Sequence, residues 1–345
     1  MALPPSDAAA PVAATQGDPS GIGPEIALLA WLRRDEPGLP PFFVLGDPAF
    51  FERLAARLGI SVPIVRVAPG ETGSAFGRAL PVVALGIEVA AEPGRPDSST
   101  APATLRSIEQ AVALVRAGEA SALVTSPIAK HVLYAAGFRH PGHTEFLAAL
   151  AAEPGAPAPH PVMMLWSETL AVVPVTVHIP LRAVPGALST GLIVETGRIV
   201  ARELRERFGL AAPRLAIAGL NPHAGEAGTM GSEDADVIAP AIAQLRAEGI
   251  DASGPYPADT MFHARARKGY DAALAMYHDQ ALVPIKTIAF DEAVNVTLGL
   301  PFVRTSPDHG TAFDIAGRGT ARPDSFLTAL KLAARLAANA RRAWA

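Results

Sequence analysis

Three histidines stand where an apolar run gives way to a turn. "LAVVPVTVHIP" carries His178 just before Pro180, "RLAIAGLNPHAG" carries His223 just past its apolar stretch, and "AALAMYHDQ" ends on His278. Each run reads as a buried strand, so the three rings belong at strand ends. In an open parallel sheet, ligands bind in the crevice beyond the carboxyl ends of the strands, where residues remote along the chain can meet. Three neutral imidazoles suit Zn²⁺ or a similar first-row divalent ion and leave a position for water or substrate. The competing reading is that each ring hydrogen-bonds a loop backbone, and the pattern leaves both readings open. His131, in a helical pattern, and His140 and His160, in proline-flanked loops, are expected to be structural or on the surface.

A second group suits an anion. "HPGHTEFLAAL" places His143 and Thr144 at the start of a helix, where free backbone N–H groups and the dipole favour phosphate. "ALVPIKTIAFDEAVNVTLGLPFVRTS" supplies Lys286, Asn295 and Arg304 from apolar surroundings, where a cation is costly unless it has a partner. That partner is either a bound anion or a structural acid such as Asp291, Glu292 or Asp308. "TQGDPSGIGPE" follows a strand but is neither a G-x-G-x-x-G fingerprint nor a Walker sequence. Its glycines allow tight turns, and Pro24 with Glu25 opens a helix in the preferred way.

The elements that must position these groups follow from periodicity. "PVAATQ" precedes "GPEIALLAWLRR", "FFVLGD" precedes "AFFERLAARLG", and "SALVTS" precedes "IAKHVLYAAG". This alternation of short β-rich runs and helical patterns predicts βαβ units and a mainly parallel sheet. Leu105, Ile108, Val112 and Val115 recur at helical spacing, with Gly118 as a stop. "SEDADVIAPAIAQLRAEG" predicts a helix opened by a Ser cap and early acids, and "DSFLTALKLAARLAANARRAWA" a final amphipathic helix.

Composition bounds the partners. With 345 residues, half of them hydrophobic, the chain can bury two ordinary cores. A net charge of -4 offers no field that would draw it to nucleic acid or an anionic membrane. The absence of cysteine excludes disulfides, thiolate metal ligands and a cysteine nucleophile. The start lacks the features of a signal peptide, and no run approaches the roughly 18 uncharged apolar residues of a membrane span. The nearest, "MMLWSETLAVVPVTV", is broken by Ser167 and Glu168. A cytoplasmic location is expected.

The stretches "GDPSGIGPE", "GHTEFLA", "NPHAGEAGTMGSED", "GPYPADTMF", "AMYHDQALVPIK" and "NVTLGLPFVRTSPDHGTAFDIAG" closely resemble the 4-hydroxythreonine-4-phosphate dehydrogenase family of vitamin B6 biosynthesis, over nearly the whole chain. The last stretch is also similar to a segment of isopropylmalate and isocitrate dehydrogenases. The resemblance implies an α/β fold of two lobes like those enzymes, with the active site in the interdomain cleft and completed by the partner subunit of a homodimer. The lobes are expected at residues 11–135 plus 285–345 and at 136–284, after a flexible arm at 1–10.

The resemblance also implies roles. His178, His223 and His278 would hold one divalent ion, zinc, magnesium or cobalt. His143, Thr144, Lys286, Asn295 and Arg304 would bind substrate, and His309, Gly310, Thr311 and Asp314 would bind NAD or NADP. Asp259 and Asp279 are candidates for proton handling or ligand support, and Lys286 for proton transfer or anion binding. The implied reaction is oxidation of 4-phosphooxy-L-threonine at C3, followed by loss of CO₂ from the resulting β-keto acid. Relatives acting on phosphorylated threonate or erythronate, or on aromatic cis-diols, share the machinery, and the Lys286, Asn295 and Arg304 set favours a phosphorylated substrate. Other classes of function are a three-histidine metallohydrolase, for which Glu226 and Asp279 are the nearest bases, and a non-catalytic anion-binding module. Ser20 and Ala281 depart from the family's commoner Ala and Gly.

Overall fold

Val12–Ala14 and Phe42–Leu45 are apolar without interruption and fully buried, as strands covered on both faces must be. The computed structural model describes residues 10–343, so nearly all of the expected arm at 1–10 lies outside the described residues. The elements run β1 (Val12–Thr15), α1 (Gly23–Leu32), β2 (Phe42–Gly46), α2 (Pro48–Leu58), β3 (Ile64–Arg66), α3 (Thr72–Phe76), β4 (Leu80–Ala84), α4 (Ala101–Arg116), β5 (Ala122–Val124), α5 (Lys130–Ala135) and α6 (His143–Ala151). There follow β6 (Val162–Ser167), β7 (Leu170–Thr176), α7 (Val184–Ala187), α8 (Thr190–Glu206), β8 (Arg214–Ala218), α9 (Ala239–Ala247), β9 (Asp251–Tyr256), α10 (Ala258–Met261), β10 (Ala272–Tyr277), α11 (His278–Ala289) and β11 (Val294–Leu298). The chain ends with β12 (Arg304–Pro307) and α12 (Asp324–Ala343).

The chain forms two compact units. One runs to His160 and resumes over Leu300–Ala338; the other is Pro161–Gly299 with the chain from Asn339 on. In the first, the strand order is β3-β4-β2-β1-β5-β12 and every pairing is parallel. Its core includes Phe43, Leu45, Ile108, Leu123 and Leu147. In the second, the order is β11-β6-β7-β10-β8-β9, with β6 antiparallel to both of its neighbours and parallel pairing from β7 onward. Leu165, Val172, Ala216, Ala275 and Ile285 lie in its core. A mainly parallel sheet was the expectation, and the β6–β7 hairpin is the departure. Only Glu168 and Thr169 join these strands, too few for a crossover, and Ser167 Oγ accepts from Leu170 N at 3.1 Å to close the turn.

The units divide after His160 and after Gly299, not after residues 135 and 284. Helix α6 packs on α4 in the first unit, and β11 pairs with β6 in the second, so both flanking segments go with their packing partners. The limits of α2 and the start of α8 follow local chemistry. Asp47 accepts from Ala49 N to start α2, and Gly59 ends it at φ 66°; Ser189 accepts from Leu192 N to start α8. The helix predicted from "SEDADVIAPAIAQLRAEG" differs: a single π-helical turn, Asp234–Ile238, precedes α9. Ser232 accepts there only through its backbone carbonyl, from Ala235 N and Asp236 N, and Pro240 has no N–H to continue a regular ladder.

Candidate active site

Strands β7 and β10 are parallel neighbours with Thr176 opposite Tyr277, so their carboxyl ends deliver His178 and His278 side by side. The ring centres are 5.5 Å apart. Two imidazoles on one tetrahedral ion, with nitrogens at about 2.0–2.1 Å, would have ring centres about 5 Å apart, so the pair fits two corners of a metal site. His278 Nδ1 lies 2.7 Å from Asp279 Oδ1, an arrangement that fixes the tautomer and leaves Nε2 to face a ligand. His178 adopts φ 54°, a left-handed conformation that a non-glycine residue holds at a cost. Both rings line a cavity of about 210 Å³ together with Thr176, Tyr277 and Asp279.

His223 does not line that cavity. Among the described residues of one chain, no three His, Asp or Glu side chains are grouped to hold a metal, so the expected trio is not assembled within a single chain. His223 opens a run of left-handed backbone: His223, Ala224, Gly225, Glu226 and Ala227 all have φ between 40° and 78°. Four of these five are not glycine, and each such residue costs roughly 1–2 kcal/mol. The turn is held from outside. Asp234, buried at 3% exposure, accepts from Leu220 N at 2.9 Å, Asn221 N at 3.2 Å and Asn221 Nδ2 at 2.9 Å. A β-carbon on Gly231 would lie 2.5 Å from Asn221 Nδ2, so only glycine fits there. Gln280 ties the turn to the other histidines' frame, accepting from Met276 N at 2.6 Å and donating to Gly219 O at 2.8 Å.

Asp234→Ala strips this turn of its anchor and leaves two backbone donors unsatisfied. It should destabilise the protein by about 2–5 kcal/mol, as read by urea denaturation. Unchanged stability would mean that the turn holds without this carboxylate.

In the first unit, the anion-binding candidates converge. Helix α6 starts at His143 with Gly142 as its cap, and no side chain satisfies its first amides. Arg304, buried at 4% exposure, donates to Thr125 Oγ1 from Nε at 3.0 Å and Nη2 at 2.6 Å. Burial pushes its pKa down to about 10, so it remains a cation at neutral pH. His143 is held well below the usual histidine range, first by burial and then by the charges of Arg304 and Lys130. Its Nε2 is sealed from solvent with no hydrogen-bond partner, a polar atom suited to a ligand. Because its folded pKa lies below the unfolded value of about 6.5, His143 contributes stability that is complete above that pH and is lost as pH falls toward the folded pKa. Thermal unfolding followed through this acid range should therefore steepen for wild type and flatten for His143→Gln; parallel curves would contradict the assignment.

The other candidates are spread over both units. In the second, Lys286 is half-buried on α11 with Nζ 5.8 Å from the Phe290 ring centre, Asn295 is half-buried on β11, and Asp259 is exposed on the one-turn α10. In the first, His309–Asp314 forms a turn after β12. His309 Nδ1 lies 3.1 Å from Gly310 O, Thr311 O accepts from Ile22 N at 2.9 Å, and Ala312 has φ 42°. A β-carbon on Gly310 would meet nothing within 4 Å, so the space beside that backbone is open.

The "TQGDPSGIGPE" loop seats this segment. A β-carbon on Gly21 would lie 2.9 Å from Thr311 O, and buried Glu25 accepts from Gly317 N at 2.7 Å and Ala321 N at 3.4 Å. Glu25 thus does more than favour a helix start, and Asp234, Gln280 and Thr125 were not singled out from sequence. An acid buried at a glycine-rich turn was the available signal for the first.

The sequence profile of the family described as "Pyridoxal phosphate biosynthetic protein PdxA" matches residues 39–333. The chain belongs to this family. Among PdxA relatives, the 4-hydroxythreonine-4-phosphate dehydrogenase of Methylorubrum populi is 66% identical over 95% of this chain and 94% of its own. The crystal structure of 4-hydroxythreonine-4-phosphate dehydrogenase from Klebsiella pneumoniae superposes with a TM-score of 0.83 at 37% identity, covering 95% of this chain and 99% of that one. A terephthalate 1,2-cis-dihydrodiol dehydrogenase from Burkholderia xenovorans is more distant, with a TM-score of 0.64 at 30% identity over 94% of this chain and 98% of that one. Among the described residues, no helix of this PdxA-family chain is long and apolar enough to cross a membrane.

Proposed function

We propose that this protein oxidises 4-phosphooxy-L-threonine at C3, with NAD⁺ or NADP⁺ as hydride acceptor, to 2-amino-3-oxo-4-(phosphooxy)butanoate. That β-keto acid then loses CO₂ to give 3-amino-2-oxopropyl phosphate, in the route to pyridoxal 5'-phosphate. The observation that carries the reading is the His178–His278 pair, spaced for one ion at the ends of adjacent strands, in a chain 66% identical to a dehydrogenase named for this substrate.

His178 and His278 would hold a divalent ion such as zinc, magnesium or cobalt, with His223 from a second copy of the chain completing the set in a cytoplasmic homodimer. Such an ion would supply Lewis acidity to the bound substrate. Asp279 keeps the His278 ring in its ligating tautomer. His143, Thr144, Lys286, Asn295 and Arg304 bind the substrate, and Arg304, charged and fixed by Thr125, orients it. His143 is neutral, so Nε2 can serve as a hydrogen-bonding atom without adding charge. Lys286 binds an anionic group or moves a proton, with Asp259 as a further proton-handling group. His309, Gly310, Thr311 and Asp314 form the cofactor turn.

Purified protein incubated with 4-phosphooxy-L-threonine, NAD⁺ or NADP⁺, and Zn²⁺, Mg²⁺ or Co²⁺ should develop the absorbance of reduced nicotinamide together with CO₂. Release of inorganic phosphate without reduction of the nicotinamide would instead identify a three-histidine hydrolase.

A further inference from the structure

Lys130 opens α5 and is exposed. A cation in the first turn of a helix opposes the dipole, so helix formation does not explain it. Its ammonium group lies over the start of α6: a β-carbon added at Gly142 would be 3.3 Å from Lys130 Nζ and 3.6 Å from its Cε. The same added carbon would be 2.6 Å from Glu145 Oε2, yet among the described residues Lys130 forms no ion pair. Lys130 also acts electrostatically on His143, alongside Arg304. Two cations and a set of free helix amides therefore surround a neutral imidazole whose Nε2 has no partner.

We propose that Lys130 is a further substrate-positioning residue: its ammonium, above the Gly142 gap, binds the phosphate of the substrate at the N-terminus of α6. This rests on the reading that His143, Thr144 and Arg304 face the substrate. The charge balance favours it. A phosphate monoester carries about −1.5 to −2 at neutral pH, Arg304 supplies one positive charge, His143 supplies none, and a helix terminus only about half of one. Lys130 is the second cation beside these amides, and Gly142 leaves the space between Lys130 and α6 unfilled.

Lys130→Ala and Lys130→Met, the second keeping an apolar stem, should weaken inorganic phosphate binding in calorimetry by about tenfold or more, and raise KM for 4-phosphooxy-L-threonine by a similar factor. The value of kcat should change by less than about twofold, because the contact is made equally in ground and transition states. Lys130→Arg should recover most of the affinity. The His143 titration midpoint, read by NMR, should rise in Lys130→Ala as a neighbouring positive charge is lost. Unchanged phosphate affinity and KM in both charge-removing variants, with Arg304→Ala raising KM and weakening phosphate, would overturn the role of Lys130 alone. If Arg304→Ala and His143→Gln leave phosphate affinity and KM unchanged as well, the underlying substrate assignment fails with it.

Discussion

His278→Ala should abolish divalent-metal binding in the micromolar range and lower kcat/KM by at least about three orders of magnitude, since Lewis acidity is worth several kcal/mol. The ring occupies the first position of α11, fixed by Asp279 on one side and facing His178 on the other. Calorimetric titration with Zn²⁺ and steady-state kinetics read the two effects together. Asp279→Asn is the graded companion: the ring stays but loses its orienting carboxylate, so metal affinity should fall by only about 10- to 100-fold. Wild-type metal affinity in His278→Ala would mean that the ion, if it binds, binds elsewhere.

Arg304→Ala should act on a different parameter. The guanidinium is buried and donates to Thr125 Oγ1 from both Nε and Nη2, which fixes its plane. A charged contact of this kind is worth about 1.5–3 kcal/mol per hydrogen bond, so a bidentate one lost should raise KM by about 100-fold or more with kcat largely kept. Arg304→Lys restores the charge but not the planar fork, and should recover only part of the affinity. A normal KM with a collapsed kcat would place Arg304 in the chemical step. Circular dichroism of the two variants separates a binding defect from misfolding, since both leave the Thr125 hydroxyl with a changed partner.

What sequence could tell was decided by the range of the interactions. The strand ends carrying His178 and His278 follow from apolar runs meeting Pro180 or a polar HDQ, a local signal. The α6 start at Gly142-His143 follows from glycine and helical periodicity over a few residues. The turn at His223 was legible only as a glycine-rich stretch. Its left-handed path depends on Asp234, which reads in sequence as an early acid of the next helix but accepts from Leu220 and Asn221 instead. Glu25 likewise reads as a helix-start acid, while its partners Gly317 and Ala321 lie at the other end of the chain. No periodicity encodes a pairing of that span. The unit limits moved for the same reason: α6 and β11 join whichever unit their faces pack against, and the loops at 152–161 and 299–303 mark the change only weakly.

The most direct test is anomalous diffraction from crystals of the protein grown with zinc. The account predicts one strong peak per site, within about 2.0–2.1 Å of ring nitrogens of His178 and His278, with His223 of the second copy as the third ligand. A peak bound by other residues, or the two rings turned apart around no ion at saturating zinc, would contradict it.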